Sequence, residues 1–145
     1  MSETGLVQLL FAPKAHVGNS ASPSELNDLI VKGLPKDAID RVKHAIRLTD
    51  PEMAALLGMS SKSVSRLRGK SRRALGLNES DRLYRIARIF SFAEEVLEDE
   101  ELARQWLHAP QVGLGDRVPL DLLRTEVGAR EVEDLLGQLE HGVLP

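Results

Sequence analysis

The chain has 145 residues, no cysteine, a formal net charge of −3 and an apolar share of 42%. This length suits one compact domain or two very small ones, and the apolar share excludes a disordered chain. Disulfides and thiolate metal sites are excluded, and the four histidines lie too far apart for a local ligand motif, so we expect no metal and no cofactor. No run approaches the roughly 18 apolar residues of a membrane span, and we expect a cytoplasmic protein.

Spacings of three and four between apolar residues recur along most of the chain, whereas regular alternation is nearly absent, so we predict an all-α fold. Residues 1–21 form a polar, glycine-containing N-terminal segment whose order the sequence leaves open. Two short core helices are predicted after it. Ser24 can cap the first helix, and Gly33 and Pro35 stop it. The inner positions are Leu26, Leu29 and Ile30 in the first helix, and Ile39, Val42 and Ile46 in the second.

The stretch MAALLGMSSKSVSRLRGKSRR, residues 53–73, changes from apolar residues to serines and cations around one glycine. The preceding TDPE can start a helix, because Thr49 or Asp50 can cap it and Pro51 is acceptable in its first turn. The first half of the stretch is therefore predicted to be a helix that ends near the glycine.

The spacing around that glycine is that of a helix-turn-helix. Ala54 is small where a second helix must pass closely, Gly58 lies where a tight turn needs a positive φ, and Val64 follows six residues later. Two helices held at a steep angle present the second one to a groove of DNA. The same unit serves in some helical proteins only for packing or as a dimer contact. The predicted buried wedge is Met53, Leu57, Met59, Val64 and Leu67.

The second helix of the motif is predicted to run from about Ser61 to Arg68. Hydroxyls and cations near a helix N-terminus suit contacts to phosphates and base edges, and Arg66 can contact guanine through two bonds. Residues 62–88 hold nine cations and two acids, a local charge of +7 in an acidic chain. We predict a DNA-binding surface, with a solvated cationic face as the alternative. Its residues are Ser60, Ser61, Lys62, Ser63, Ser65, Arg66, Arg68, Lys70, Arg72 and Arg73.

The C-terminal part carries the opposite charge. From Ala93 onward there are thirteen acids and four cations, a local charge of −9 that would repel DNA. Between the two blocks lies a predicted helix capped by Ser80, long enough to bridge them. Its apolar stripe, Leu83–Leu97, is wider than one core face needs. We take it as the candidate surface of a homodimer, with burial inside the monomer as the alternative.

Further predictions concern short features of the C-terminal part. Trp106 is predicted to pack in the core, and Pro119 to start a helix. The last helix places Val132, Leu135, Leu136 and Leu139 on one face. The GLGD sequence, residues 113–116, lacks the Lys and the Ser or Thr of a phosphate loop. Because no set of nucleophile, base and acid stands out, we do not expect an enzyme.

Several motifs follow one another after residue 80: W-L, a G-L-G turn, P-L-D-L-L, T-E-x-G-A and E-H-G-V. They belong to RLYRIARIFSFAEEVLEDEELARQWLHAP and GLGDRVPLDLLRTEVGAREVEDLLGQLEHGV, which closely resemble the toxin-binding domain of the Xre/MbcA/ParS antitoxins from about Ser80 to Leu144. The preceding helix-turn-helix is similar to the Xre-like part of the same proteins. The chain then divides into the N-terminal segment 1–21, a DNA-binding part 22–79 and a toxin-binding domain 80–145.

The resemblance implies an antitoxin of a type II toxin–antitoxin system, whose usual partner is a RES-domain toxin that degrades NAD. The protein would silence that toxin and, alone or with it, bind operator DNA to repress its own operon, as a homodimer on a palindromic site. Exposed charges of the C-terminal domain could pair with the toxin's substrate-binding groups. Ordinary surface, with Gly142 capping the last helix, is the alternative. The implied toxin-binding residues are Asp116, Arg117, Arg124, Glu126, Arg130, Glu140, His141, Gly142 and Val143.

A function of another class remains open. The protein could be a helix-turn-helix transcription or segregation factor whose acidic C-terminal half serves dimerisation. An adjacent gene encoding a protein that is toxic by itself would separate the two.

Overall fold

A computed structural model describes residues 6, 9–11, 22–69 and 74–142, and this part of the chain is all α, as predicted. It contains eight α-helices and one short 3-10 turn, Val112–Leu114. The helices are α1 (Pro23–Lys32), α2 (Asp37–Ile46), α3 (Asp50–Leu57), α4 (Ser61–Gly69), α5 (Leu77–Leu97), α6 (Glu100–His108), α7 (Pro119–Leu122) and α8 (Glu126–Glu140).

The helix starts follow local side-chain chemistry, with one correction. Ser22, and not Ser24, caps α1, because Pro23 occupies the first helical position and the Ser22 hydroxyl accepts from the N–H of Glu25 at 3.2 Å. At α3 the predicted cap is found at Thr49, which forms a reciprocal capping box with Glu52.

Helix α5 begins earlier than the sequence indicated, and the prediction that Ser80 caps it is wrong. The helix starts at Leu77, and Ser80 lies inside it, fully buried. Its hydroxyl accepts a hydrogen bond from the Leu34 N–H at 2.9 Å, and the Leu34 carbonyl accepts one from the Leu75 N–H at 2.8 Å. Ser80 therefore provides the hydrogen-bond acceptor for a backbone N–H between α1 and α2, which is a tertiary contact.

One hydrophobic core runs through the described residues, and α5 is its axis. This helix packs against α1, α2 and α3 on the N-terminal side and against α6 and α8 on the C-terminal side. The apolar stripe predicted as a dimer surface instead packs inside the molecule. Its most buried residues are at most 1% exposed: Leu83, Ile86, Ile89, Phe90 and Ala93. That candidate interface is wrong, because two sets of helices need apolar contact with the same helix.

Packing of the remaining apolar residues agrees with the helical spacing. Trp106 is half-buried and packs against the core, and Val132 and Leu136 of α8 are fully buried. Pro119 begins α7, as predicted. The division between residues 79 and 80 stays a prediction, and it falls within the first turn of α5.

The N-terminal segment 1–21 is described only at residues 6 and 9–11, and the rest of it lies outside the described residues. Leu10 is fully buried, and Leu6 and Phe11 are buried with it. The Arg41 guanidinium donates to the carbonyl oxygens of Leu9 and Leu10, at 3.1 and 2.8 Å. These contacts attach the described part of the segment to α2.

Candidate DNA-binding and partner-binding surfaces

The turn between α3 and α4 has the geometry that its glycine predicts. Gly58 adopts φ 68° and ψ 32°, a left-handed conformation that glycine tolerates best. The N–H groups of Gly58 and Met59 donate to the carbonyls of Ala55 and Ala54, at 3.2 and 2.9 Å, and so close the end of α3. Val64 of α4 is buried against this corner, so the second helix is held firmly by the first.

The outer face of α4 carries most of the residues predicted to meet DNA. Ser61, Lys62, Ser65 and Arg66 are exposed, whereas Ser63 is half-buried. The Ser60 hydroxyl accepts from the Ser63 N–H at 3.0 Å, so it is engaged in capping α4. The side chain of Arg68 and the whole of Lys70, Arg72 and Arg73 lie outside the described part of the chain.

Three cations of the sequence block 62–88 do not belong to that face. Arg82 donates to the Leu57 carbonyl at 2.7 Å, Arg85 pairs with Glu126 at 3.2 Å, and Arg88 pairs with Glu133 at 2.6 Å. The local charge of +7 counted over residues 62–88 therefore overestimates the positive charge available to DNA on the outer face of α4. These arginines join α5 to its neighbours, and the remaining cations of the block lie at positions 62–73.

The candidate partner-binding surface begins at residues 111–117, in the loop between α6 and α7. Gln111 and Arg117 form an isolated antiparallel bridge, and Gly115 and Asp116 turn the chain with φ values of 66° and 63°. The Arg117 guanidinium donates to the Leu114 carbonyl at 2.6 Å and pairs with Glu131 of α8. Arg117 therefore holds the loop to itself and to α8. Asp116 is exposed at the tip of the loop.

The start of α8 continues this surface. The Thr125 hydroxyl caps the helix by accepting from the Gly128 N–H at 3.0 Å. Glu126 is shared between Arg85, at 3.2 Å, and Arg130, at 3.5 Å. Arg124 is exposed and has no ion pair within the described residues. The Arg130 side chain is 73% exposed and pairs only with Glu126 in the described part of the chain, so Arg124 and Arg130 are both available to a partner.

The end of α8 is exposed at Glu140, His141 and Gly142, and Val143 lies outside the described residues. Gly142 has φ 72° and donates its N–H to the Leu139 carbonyl at 3.2 Å, which terminates the helix. Capping thus accounts for the glycine of the E-H-G-V motif.

Two exposed valines were not among the predicted site residues. Val112, in the 3-10 turn, is 82% exposed, and Val127, in the first turn of α8, is 71% exposed. Val127 lies one helical turn before Glu131, the partner of Arg117. Single exposed apolar side chains are common on protein surfaces, so these valines become candidates for contact only together with the exposed charges near them. Their only sequence signal was an apolar residue next to a turn, which is too common to be selective.

The acidic run 94–101 is partly neutralised inside the molecule. Arg104 pairs with Glu100 at 2.7 Å and Glu101 at 3.0 Å and donates to the Ala45 carbonyl at 3.0 Å. Hydrogen bonding to Arg104, with the nearby charge of Arg47, holds the pKa of Glu101 below its usual range. Burial, reinforced by the charge of Glu100, raises the pKa of Glu94. The run therefore also fastens α6 to the end of α2.

Membrane-spanning helices and clustered metal ligands are both absent from the described residues. No helix in that part of the chain is long and apolar enough to cross a membrane. No group of three or more His, Asp or Glu side chains in it could hold a metal ion.

Comparison with known proteins agrees with this two-part arrangement. Residues 25–88 match the antitoxin Xre-like helix-turn-helix domain, and residues 92–142 match the antitoxin Xre/MbcA/ParS C-terminal toxin-binding domain. An antitoxin Xre of Photorhabdus laumondii is 31% identical over 126 residues, which is 86% of this chain and 84% of the relative. An antitoxin Xre of Yersinia enterocolitica is 38% identical over 119 residues, 81% of this chain and 80% of the relative.

The fold is also found in a solved structure. The crystal structure of the M. tuberculosis MbcT-MbcA toxin-antitoxin complex contains a chain that is 24% identical to this one, with a TM-score of 0.55. The match covers 76% of this chain and 96% of the other. Because two antitoxin relatives of 31% and 38% identity are matched over most of their length, and both halves match antitoxin domain families, the chain belongs to the Xre/MbcA/ParS family of antitoxins.

Proposed function

We propose that this protein is the antitoxin of a type II toxin–antitoxin system. It binds and neutralises a RES-domain toxin that degrades NAD and, alone or with that toxin, binds operator DNA to repress its own operon. The observation that carries the proposal is one chain in which a helix-turn-helix with a free outer face is joined by a shared core to a domain of the toxin-binding type.

The DNA-binding part of the proposal is supported by the exposed face of α4. Lys62 and Arg66 are exposed and form no ion pair within the described residues, so both are available to phosphates or base edges. One recognition helix reads too few base pairs to be selective, so a homodimer on a palindromic operator is proposed. Its interface lies elsewhere than the buried stripe of α5.

Salt dependence of operator binding tests this part. Affinity should fall steeply as salt rises, with a slope of about −0.9 per phosphate contact, and Arg66→Ala should weaken binding and reduce the slope if Arg66 meets a phosphate. Arg88→Ala is the matched control, because it removes a cation of the same sequence block that pairs with Glu133. An Arg66→Ala protein that binds as tightly as the wild type at every salt concentration would refute the recognition-helix assignment.

Light scattering tests the assembly. We expect a homodimer at micromolar concentration or on the operator. A monomer in solution that also binds DNA as a monomer would contradict the palindromic arrangement.

The toxin-binding part is supported by the loop 111–117, whose 3-10 turn packs against α8, and by the exposed residues at the two ends of α8. This surface combines an available cation at Arg124 with the exposed valines Val112 and Val127. Such a mixture of apolar and charged groups suits a protein partner. The RES class of the toxin and its action on NAD rest on the resemblance of residues 80–144.

Co-expression with the adjacent gene tests the neutralisation. That gene alone should arrest growth and deplete cellular NAD, and the wild-type antitoxin should restore both. Removal of residues 141–145, or Arg130→Ala, should impair rescue, and thermal unfolding will check that each variant still folds, because Arg130, His141 and Gly142 are exposed and the core lies elsewhere. Asp134→Ala, which changes another exposed charge one turn after Arg130, is the control. Normal growth and an intact complex with both variants would refute the role of this end of the protein.

A further inference from the structure

We propose that Arg82, on α5, is a positioning residue for DNA recognition: it sets the turn between α3 and α4 without itself contacting DNA. The inference rests on the proposed DNA-binding function and deepens it. Counting charges in the sequence places Arg82 among the DNA-facing cations. The proposal instead assigns it to the contact between α5 and the turn of the helix-turn-helix.

The first observation is where the guanidinium ends. Arg82 Nη1 donates to the carbonyl oxygen of Leu57 at 2.7 Å, although the two residues are 25 positions apart. Leu57 is the last residue of α3, and its carbonyl lies at the negative end of that helix. A cation that bonds this carbonyl both satisfies an unpaired acceptor and complements the helix dipole.

The second observation is the space over Gly58. A Cβ atom added there would lie 2.6 Å from Nη1 and 3.1 Å from Cζ of Arg82. The guanidinium therefore fills the place that a side chain at Gly58 would need. Gly58 is favoured by its left-handed backbone, and a side chain there would have to displace the guanidinium of Arg82.

The third observation is the anchoring of Arg82 itself. Leu83 and Ile86, its neighbours on α5, are fully buried in the core, and Arg85 is held by Glu126 and the Leu123 carbonyl. Arg82 thus extends from a fixed helix to the turn. Because the start of α4 follows this turn after two residues, its direction depends on the turn, and a small rotation there would move Arg66 away from its target.

Operator binding measured against salt separates positioning from phosphate contact. Arg82→Ala should weaken binding by up to about ten-fold, the limit set by the energy of one charge-assisted hydrogen bond, with the salt slope of the wild type. Arg82→Lys, which keeps a donor and the reach, should recover part of the affinity. Arg88→Ala, the same charge change six residues along α5, should bind like the wild type. A slope reduced by about 0.9 in Arg82→Ala would overturn the proposal, since Arg82 would then contact a phosphate.

Hydrogen exchange of the free protein tests the turn independently of DNA. In Arg82→Ala, or in Arg82→Lys if the alanine variant does not fold, the amides of Gly58 and Met59 should exchange faster while those of α8 are unchanged. Unchanged protection at these two amides would overturn the inference even if DNA binding fell. A wild-type protein that binds no operator would refute the proposed function instead, and exchange at the turn would still decide the role of Arg82.

A double variant links the two residues. Gly58→Ala should also weaken operator binding, because its methyl group displaces the guanidinium. Gly58→Ala combined with Arg82→Ala should lose less affinity than the product of the two single losses, since both remove the same contact. Independent, multiplicative losses would show that Arg82 and Gly58 act separately and would contradict the proposal.

Discussion

Two glycines of α8 should respond in opposite directions to the same substitution. A Cβ at Gly128 would lie 2.0 Å from the carbonyl oxygen of Leu122 and 2.9 Å from its carbon, whereas a Cβ at Gly137 would meet nothing within 4 Å. Ordinary contact begins at 3.4 Å, so Gly128→Ala requires a backbone movement of about 1.4 Å between α7 and α8.

The magnitude follows from the two opposing terms. Overpacking costs about 3 kcal/mol where backbone must move, and the better helix propensity of alanine offsets about 1 kcal/mol, which leaves a loss of about 2 kcal/mol. At about 4 °C per kcal/mol for a chain of this length, Gly128→Ala should lower Tm by roughly 8 °C. Gly137→Ala has only the propensity term and should raise Tm by roughly 2–4 °C.

Thermal unfolding of the two variants, followed by circular dichroism at one protein concentration, measures both shifts. A Gly128→Ala protein as stable as the wild type, beside a Gly137→Ala protein that gains stability, would refute the close approach of α8 to Leu122. The expected result would explain the glycine of the T-E-x-G-A motif by packing rather than by contact with a toxin.

Further predictions concern stability. Ser80→Ala should cost about 2 kcal/mol, because the buried Leu34 N–H loses its acceptor, and urea unfolding will measure it. Thr49→Ala should cost about 1 kcal/mol through loss of the capping box, with amide exchange in α3 increasing. Burial, and then the charge of Glu100, raise the pKa of Glu94, so its ionised form opposes folding at pH 7. Glu94→Gln should raise Tm at pH 7, and the gain should vanish below about pH 4.5, where both states are protonated; a gain independent of pH would contradict this.

Most helices and their order could be predicted from local patterns. The inner positions Ile39, Val42 and Ile46 are all fully buried, and Gly58 has the positive φ that its place in the motif requires. These features depend on residues three or four apart or on a single backbone conformation. For the same reason the helix-turn-helix and its exposed serines were identifiable without a structure.

The candidate surfaces were less predictable, because charge counting does not say where a charge points. Arg82 and Arg88 look alike in the sequence, yet Arg82 bonds the end of α3 at the turn of the helix-turn-helix and Arg88 pairs with Glu133 of α8. Arg117 looked like a free partner for a toxin and is engaged by Glu131. Val112, which is 82% exposed, would be assigned to the core on hydrophobicity alone.

Local spacing and the order of motifs thus determined the all-α class, the helix-turn-helix and the family. The role of Ser80 and the partners of the α5 arginines could be identified only from the tertiary structure. Ser80 bonds a backbone group 46 residues away, and Arg85 and Arg88 bond groups 38 and 45 residues away. Helical periodicity reports on interactions within about one turn, whereas these partners meet only because α5 is buried between the two halves of the molecule.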